Sequence, residues 1–375
     1  MQLILFADAF DLSAYGPAKG VYKPVGFYFN IGNLDPEYRS RVDNINMAYL
    51  ILDDDLNKSF HQEDLRGISK IKIALKPLVE ELIKLRSEGI TIDGEKVEVC
   101  LLFATGDNLG QHQIGGFIQN FSKSEFFCRY CPISRSEFKI NPHEVLPLRT
   151  PEQYDEHVVL AKRLWETKKQ MAFTHQARLR RAAQRRAQNV VARVRAPASR
   201  LLLRQAISKS AYLKLKAINY KGVKYFSSPF NAVPGFHVCS PALVACIAHD
   251  VAEGLASVIL AKVLQYCAEV KSWFTLETLN RRIKKFKCGG SDAADSLTPL
   301  KSFSEVKGNA SEVRNLVRLL PLIIGDLIED KNDPMWQLYI QFKEISDYVY
   351  APRISKPQVA YLNFSIRTFV CNLKT

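Results

Sequence analysis

The sequence predicts a mixed α/β fold, and two observations carry this prediction. Short apolar runs rich in β-prone residues alternate with a helical pattern through the N-terminal third of the chain. Beyond about residue 219, helical periodicity dominates. With 375 residues and 47% hydrophobic content, the chain is also long and apolar enough to bury a substantial core.

The first strands are predicted as a meander, because three apolar runs follow one another with only Gly, Pro and Asp punctuation between them. They cover residues 1–7, 25–31 and 45–52. Apolar residues then recur every three or four positions from Ile68 to Leu85, which predicts one amphipathic helix ending near Gly89.

A hairpin and a further strand follow this helix. The Asp93-Gly94 pair is typical of a hairpin turn. The apolar run 99–103 then predicts a strand that ends at Asp107, just as the first strand ends at Asp8. The order β, β, β, α, β is that of the ribonuclease-H-like fold, in which those two strands are neighbours.

Carboxylates at the ends of neighbouring strands predict a metal site. Asp8 and Asp107 would lie close together, and like charges so placed are tolerated best when a divalent cation bridges them. Glu253 lies on a predicted helix over residues 241–270, four residues after His249. These three acids favour metal-dependent phosphodiester cleavage or transfer. The alternative is that both aspartates form turns and Glu253 is a solvated helix residue.

A second candidate metal site is a CxxC pair, Cys128 and Cys131, in a turn that ends in proline. Two histidines, His237 and His249, would complete a Cys2His2 shell for zinc. The alternative is that the cysteines are buried thiols of the core. Eight cysteines, several within apolar runs, favour a reducing, intracellular compartment over a disulfide framework.

The net charge of +14 is concentrated in one segment. Residues 162–216 hold sixteen Lys or Arg and one acid, Glu166, so the rest of the chain is close to neutral. The segment is predicted as a basic insertion, poorly ordered or helical, that binds phosphates or acts as a nuclear localisation sequence. The alternative is a fortuitous insertion without function.

The predicted organisation has three parts. Residues 1–160 form the N-terminal part of the α/β core with the CxxC turn, 161–218 the basic insertion, and 219–375 a C-terminal, mostly helical part of the core. Additional helices are predicted over 111–121, 311–328 and 334–350. The sequence indicates neither secretion nor a membrane-spanning segment.

Five motifs in this order resemble transposon-derived animal proteins related to the CACTA (En/Spm-type) transposases. The resemblance covers most of the chain outside roughly 162–218. The motifs are Ala7-Asp8-Ala9-Phe10, Pro77-Leu78-Val79-Glu80-Glu81-Leu82, Gly106-Asp107-Asn108-Leu109-Gly110, Cys128-Arg129-Tyr130-Cys131 and His249-Asp250-Val251-Ala252-Glu253-Gly254.

The resemblance implies a DDE transposase core that cuts and rejoins DNA with two Mg²⁺ ions. Asp8, Asp107 and Glu253 match the family's three catalytic acids. Cys128 and Cys131 match its CxxC, and His237 and His249 its histidines, which implies zinc as a second metal. DNA at transposon ends is the implied partner, with a second copy of the chain as another, and the nucleus the implied location.

The chain also departs from the family pattern. Ala9 stands where relatives often carry a second acid, and Tyr15-Gly16-Pro17 replaces an Asn-Pro-Leu-Gly-like run. The chain begins within the first predicted strand, so we expect a fragment of the core without a DNA-binding module. The alternative function is a non-catalytic remnant, domesticated or decayed, that binds DNA or protein.

Overall fold

A computed structural model describes residues 1–10, 24–39, 41–51, 69–140, 147–191 and 209–373. The predicted mixed α/β class is confirmed. Residues 15–17 of the first loop and 192–208 of the basic segment lie outside the described ranges. The central sheet has four strands in the order β3-β2-β1-β6. Its members are β1 (Gln2–Ala9), β2 (Val25–Ile31), β3 (Asn46–Ile51) and β6 (Cys100–Gly106).

Strand directions bring the two predicted acidic positions to one edge of this sheet. β1 pairs antiparallel with β2, and β2 antiparallel with β3, so the predicted meander is confirmed. β1 pairs parallel with β6, and its register sets Ala7 opposite Gly106. Asp8, which is still paired with Gly26 of β2, and Asp107, which directly follows β6, therefore lie at the same end of the two strands.

A fifth, rudimentary strand position lies beyond β6. Leu243 forms a parallel bridge with Ala104, and the Val244 amide donates to the Ala104 carbonyl at 3.2 Å. The predicted helix start at Pro241 is therefore wrong, because the backbone at Leu243 and Val244 bonds to the outer strand β6 and does not continue a helix. The long helix α8 begins later and runs over Ala248–Val270.

The predicted amphipathic helix before Gly89 is two helices, α2 (Lys70–Ala74) and α3 (Lys76–Glu88). They meet at Leu75, and Pro77 lies in the first turn of α3, where its missing N–H costs nothing. The buried face of α3 packs into the same hydrophobic cluster as the sheet residues Leu3, Leu5 and Phe27. Among the described residues before these helices lie the short α1 (Pro36–Arg39) and a 3-10 turn, Val42–Asn44.

The Asp93-Gly94 hairpin is confirmed. It joins β4 (Ile90–Ile92) to β5 (Glu95–Val97), and both turn residues have positive φ, 50° and 85°. A two-residue turn with positive φ at both positions follows the twist of the paired strands, and Asp and Gly adopt it readily.

The helix predicted over 111–121 is wrong at both ends. Helix α4 covers Asn108–Ile114, with Asp107 as its N-cap. It stops at Gly115, and Gly116 follows with φ of 68°, a left-handed conformation that favours glycine. Phe117 then bridges to Val223 on β8 (Val223–Lys224), which pairs with β7 (Asn219–Tyr220). A short helix α5 (Arg135–Ile140) follows the CxxC turn.

The predicted boundary between residues 160 and 161 falls inside a single helix. Helix α6 runs over Pro151–Val191, 41 residues. Ala161 and Trp165 on α6 are buried against Leu215, at the end of α7 (Lys209–Lys216), and against Tyr225. The Trp165 and Tyr225 rings stack at 5.0 Å between centroids. Both ends of the basic segment thus pack on the body of the protein.

The C-terminal part is helical, and the predicted helices there are confirmed. Helix α8 lies in a second core, and although it is long and apolar enough to cross a membrane, 44% of its apolar window is buried inside the protein. Around it pack α9 (Leu276–Lys285), α10 (Ala310–Ile324), α11 (Pro334–Val349) and α12 (Lys356–Asn372).

Candidate functional site

Asp8 is the electrostatic centre of the predicted acidic site. Its side chain is partly buried at the end of β1, and burial raises the pKa of its carboxyl group above the ordinary value. The Ala9 amide lowers that pKa, whereas the Asp107 and Glu253 carboxylates each raise it. His249 lowers it. Asp107, Glu253 and His249 therefore each lie near enough to Asp8 to act on its carboxyl group through space.

Asp107 has a structural contact as well. Its Oδ1 accepts a hydrogen bond from the Gly110 amide, which caps the N-terminus of α4. An N-cap acid satisfies an otherwise unpaired helix amide and complements the helix dipole. The alternative that Asp107 forms a turn is thus correct. In the described contacts, this cap uses only one of the two carboxylate oxygens of Asp107.

Glu253 and His249 lie in the first part of α8, over Ala248–Ala256, where the backbone follows i→i+5 hydrogen bonding. Such π-helical segments are often found at functional sites. Glu253 is exposed, and His249 Nδ1 lies 3.0 Å from the Cys246 thiol. The exposed Glu253 carboxylate is near enough to the partly buried Asp8 to raise its pKa.

The donor set suits a hard divalent cation, because carboxylate oxygens are its preferred ligands, and burial, with a smaller contribution from the neighbouring carboxylates, raises the pKa of Asp8. Among the described residues, however, no three His, Cys, Asp or Glu side chains are grouped so as to hold one ion. The acids share a location without converging on a single point.

A buried polar network ties three of the sequence motifs together beside these acids. Arg129, between the two cysteines, donates to the Asn108 side chain and lies 3.3 Å from an Asp250 oxygen. The Asn108 amide group donates to the other Asp250 oxygen. Arg129 also donates to the Tyr130 hydroxyl at 2.8 Å. The network fixes the start of α8 against α4 and the CxxC turn.

Sequence patterns alone miss this network, although each member stands next to a predicted site residue. Asn108 follows Asp107, and Asp250 follows His249. Tyr350 is a further missed neighbour, since burial and the Cys246 and Glu253 side chains raise its pKa while Arg314 lowers it. The Arg314 guanidinium lies 4.6 Å from the Tyr350 ring centroid.

The two cysteines of the CxxC turn interact directly with each other. The Cys131 thiol donates to Cys128 and holds the pKa of Cys128 at about 6, while the same contact and burial raise the pKa of Cys131. Nearby, the buried Arg149 donates to the Lys221 carbonyl at 3.0 Å and lies 2.6 Å from His157 Nδ1. A thiolate with a hydrogen-bonded partner thiol is a competent soft ligand for a metal.

The two histidines predicted for zinc lie in different surroundings. His237 receives a hydrogen bond from the Cys239 amide at 3.0 Å and lies 3.8 Å from the Asp155 carboxylate. His249 lies with Asp8 and Cys246. Neither histidine has a described contact with Cys128 or Cys131. Zinc at these four residues stays a prediction.

Replacing Asp8 by asparagine is expected to stabilise the metal-free protein at neutral pH. A carboxyl whose folded pKa is raised favours the folded state only while it is protonated, so its contribution is lost as pH rises through that pKa. We expect the free energy of unfolding of the Asp8→Asn variant to exceed that of the wild type by about 1 kcal/mol at pH 7, and the difference to disappear near pH 3. Urea unfolding in EDTA at both pH values measures it, and lower stability of the Asp8→Asn variant at pH 7 would contradict it.

Comparisons with known proteins add no family to this description. No protein-family model matches the sequence, and no curated protein is similar to it at a significant level. The case for a function therefore rests on the position and chemistry of the side chains.

Proposed function

We propose that this chain carries the core of a metal-dependent DNA strand transferase of the ribonuclease-H-like, CACTA-related DDE transposase type. Asp8, Asp107 and Glu253 are its candidate metal ligands, with two Mg²⁺ ions as cofactors and transposon ends as substrate. The observation that carries the proposal is the parallel register of β1 and β6, which sets Asp8 and Asp107 at one end of the sheet, with Asp107 and Glu253 both within electrostatic reach of Asp8. Residues separated by as many as 245 positions act on one carboxyl group.

The arrangement of the sheet supports this proposal. Strand order β3-β2-β1-β6, with β1 and β6 parallel, is the order expected for a ribonuclease-H-like core. The parallel bridge of Leu243 beside β6 supplies the next position outward, and the chain then enters the helix that carries Glu253. In mixed and parallel sheets, ligands bind at the carboxyl edge of the strands, where these acids lie.

The chain's own residues have distinct parts in such a reaction. Asp8 and Asp107 present carboxylates from a rigid sheet edge, and Glu253 approaches from the facing helix. Bound Mg²⁺ would supply activation of water or of a 3′-hydroxyl and neutralise charge on the leaving oxygen. The Arg129 network holds α4 and α8 in register, so that the three carboxylates stay near one another.

One observation favours the second candidate, a remnant that binds DNA or protein without catalysis. Asp107 already caps α4, and no three potential ligands among the described residues are grouped to hold an ion. Mg²⁺-dependent cleavage of DNA by the wild-type chain and by the Asp107→Asn variant separates the two candidates. Cleavage that needs both Mg²⁺ and Asp107 supports the enzyme, and its complete absence supports the remnant.

A further inference from the structure

We infer that the exposed face of helix α6 is an arm that binds the phosphate backbone of duplex DNA. Its first turns pack on the body of the protein through Tyr154, Ala161 and Trp165, which are buried. The helix then continues past this packed part to Val191. From residue 162 to 191 it carries nine Lys or Arg and a single acid, Glu166.

Three basic residues, Arg163, Arg178 and Arg181, lie on the face of this helix opposite its packed side, whereas Lys168 and Lys169 lie nearer Trp165. At 100° per residue, positions three and four apart share a face, and the face opposite Trp165 bears six exposed residues at these spacings. They are Arg163, Thr167, Gln170, Thr174, Arg178 and Arg181. This face is called the arginine face below. It contains no acid, so nothing on it repels a phosphate.

The length of the arginine face suits duplex DNA. Arg163 and Arg181 are 18 positions apart, which spans about 27 Å at 1.5 Å per residue. One turn of B-DNA is about 34 Å long, so a straight helix can meet phosphates over most of a turn. Guanidinium groups bind phosphate oxygens in pairs, and amide side chains such as that of Gln170 between them are common phosphate donors. The Thr167 and Thr174 hydroxyls donate to helix carbonyls at 2.9 Å.

The helical conformation favours DNA over an acidic protein groove that binds basic peptides in an extended form. Such a groove would require several turns of α6 to unwind, whereas phosphate binding uses the arginine face as it stands. The inference deepens the proposed function, and rests on it for the choice of DNA as the ligand. The inference assigns DNA binding to helix α6. Asp8, Asp107 and Glu253 have no part in that binding.

The test measures binding without catalysis. Full-length chain binds a fluorescently labelled duplex of random sequence in EDTA, and anisotropy gives Kd at several salt concentrations. The test variant is the triple substitution Arg163→Gln, Arg178→Gln and Arg181→Gln, since glutamine keeps helix propensity. The matched control replaces three exposed arginines elsewhere, Arg281→Gln, Arg353→Gln and Arg367→Gln.

We expect the arm variant to bind at least about tenfold more weakly near physiological salt. The slope of the logarithm of its DNA association constant against the logarithm of salt concentration should become shallower by up to about 2.7, because each lost phosphate contact removes about 0.9. The control should retain the wild-type slope. An equal loss of DNA affinity in both variants would overturn the inference. It would also be overturned if the arm variant kept its DNA affinity and lost affinity for a polyglutamate peptide. Because EDTA removes Mg²⁺, a wild-type chain that binds DNA but never cleaves it would refute only the proposed function.

Discussion

The Asp107→Asn variant is expected to lose Mg²⁺-dependent DNA cleavage by about a thousandfold or more, with little change in stability. Asparagine caps helices about as well as aspartate, so the contact with the Gly110 amide and the start of α4 should survive. Only the negative charge is lost. A metal ligand contributes several kcal/mol of transition-state stabilisation, and about 4 kcal/mol corresponds to a thousandfold in rate.

The assay is nicking of supercoiled plasmid over time with Mg²⁺ or EDTA. A matched control is Asp93→Asn, an isosteric change in the exposed turn between β4 and β5, where asparagine also accepts positive φ. The control should cleave at the wild-type rate. Wild-type activity in the Asp107→Asn variant would remove Asp107 from the ligand set, because the substitution leaves its shape and its cap intact.

The Arg129→Met variant is expected to lose about 3 kcal/mol of stability. The Arg129 side chain is 6% exposed and that of Asp250 25%, so the substitution leaves a largely buried carboxylate without its cation. Asn108 would lose its donor in the same step. The free energy of unfolding in urea measures the loss, and the start of α8 should become less protected from hydrogen exchange.

Two further variants separate the network from ordinary charge loss. Adding Asp250→Asn to Arg129→Met should recover part of the loss, since the uncompensated charge is then removed as well. Arg353→Met breaks an exposed pair with Asp35 at 3.6 Å and should cost under about 1 kcal/mol. If Arg129→Met cost no more than Arg353→Met, the network would not fix α8 against α4.

Much of the sheet could be predicted from sequence because its determinants are local. Apolar runs set the strands, and Asp93-Gly94 sets the hairpin. The pairing of β1 with β6 is not local, yet the order of elements predicts it, and the register places Asp8 and Asp107 at one edge. Glu253 lies near these two residues because Leu243 bonds to β6 and the chain then enters α8, which carries Glu253.

The failed predictions share one physical cause, which is that tertiary contacts outweigh periodicity. The pattern from Pro241 predicts a long helix, but only a π-helical turn, Val238–Ala242, forms there, and Leu243 and Val244 then bond to β6. The helix after Asp107 stops where Gly116 takes a left-handed conformation. Partners far apart in sequence leave no local pattern.

Binding of Mn²⁺, followed by electron paramagnetic resonance as a spectroscopic substitute for Mg²⁺, tests the central claim most directly. The claim is that Asp8, Asp107 and Glu253 form one divalent-cation site. Two ions should bind per wild-type chain, and each of the single variants Asp8→Asn, Asp107→Asn and Glu253→Gln should weaken binding at least tenfold, whereas Glu277→Gln on α9 should not. Binding in the three variants that equals the wild type, or no binding by the wild type, would contradict the claim.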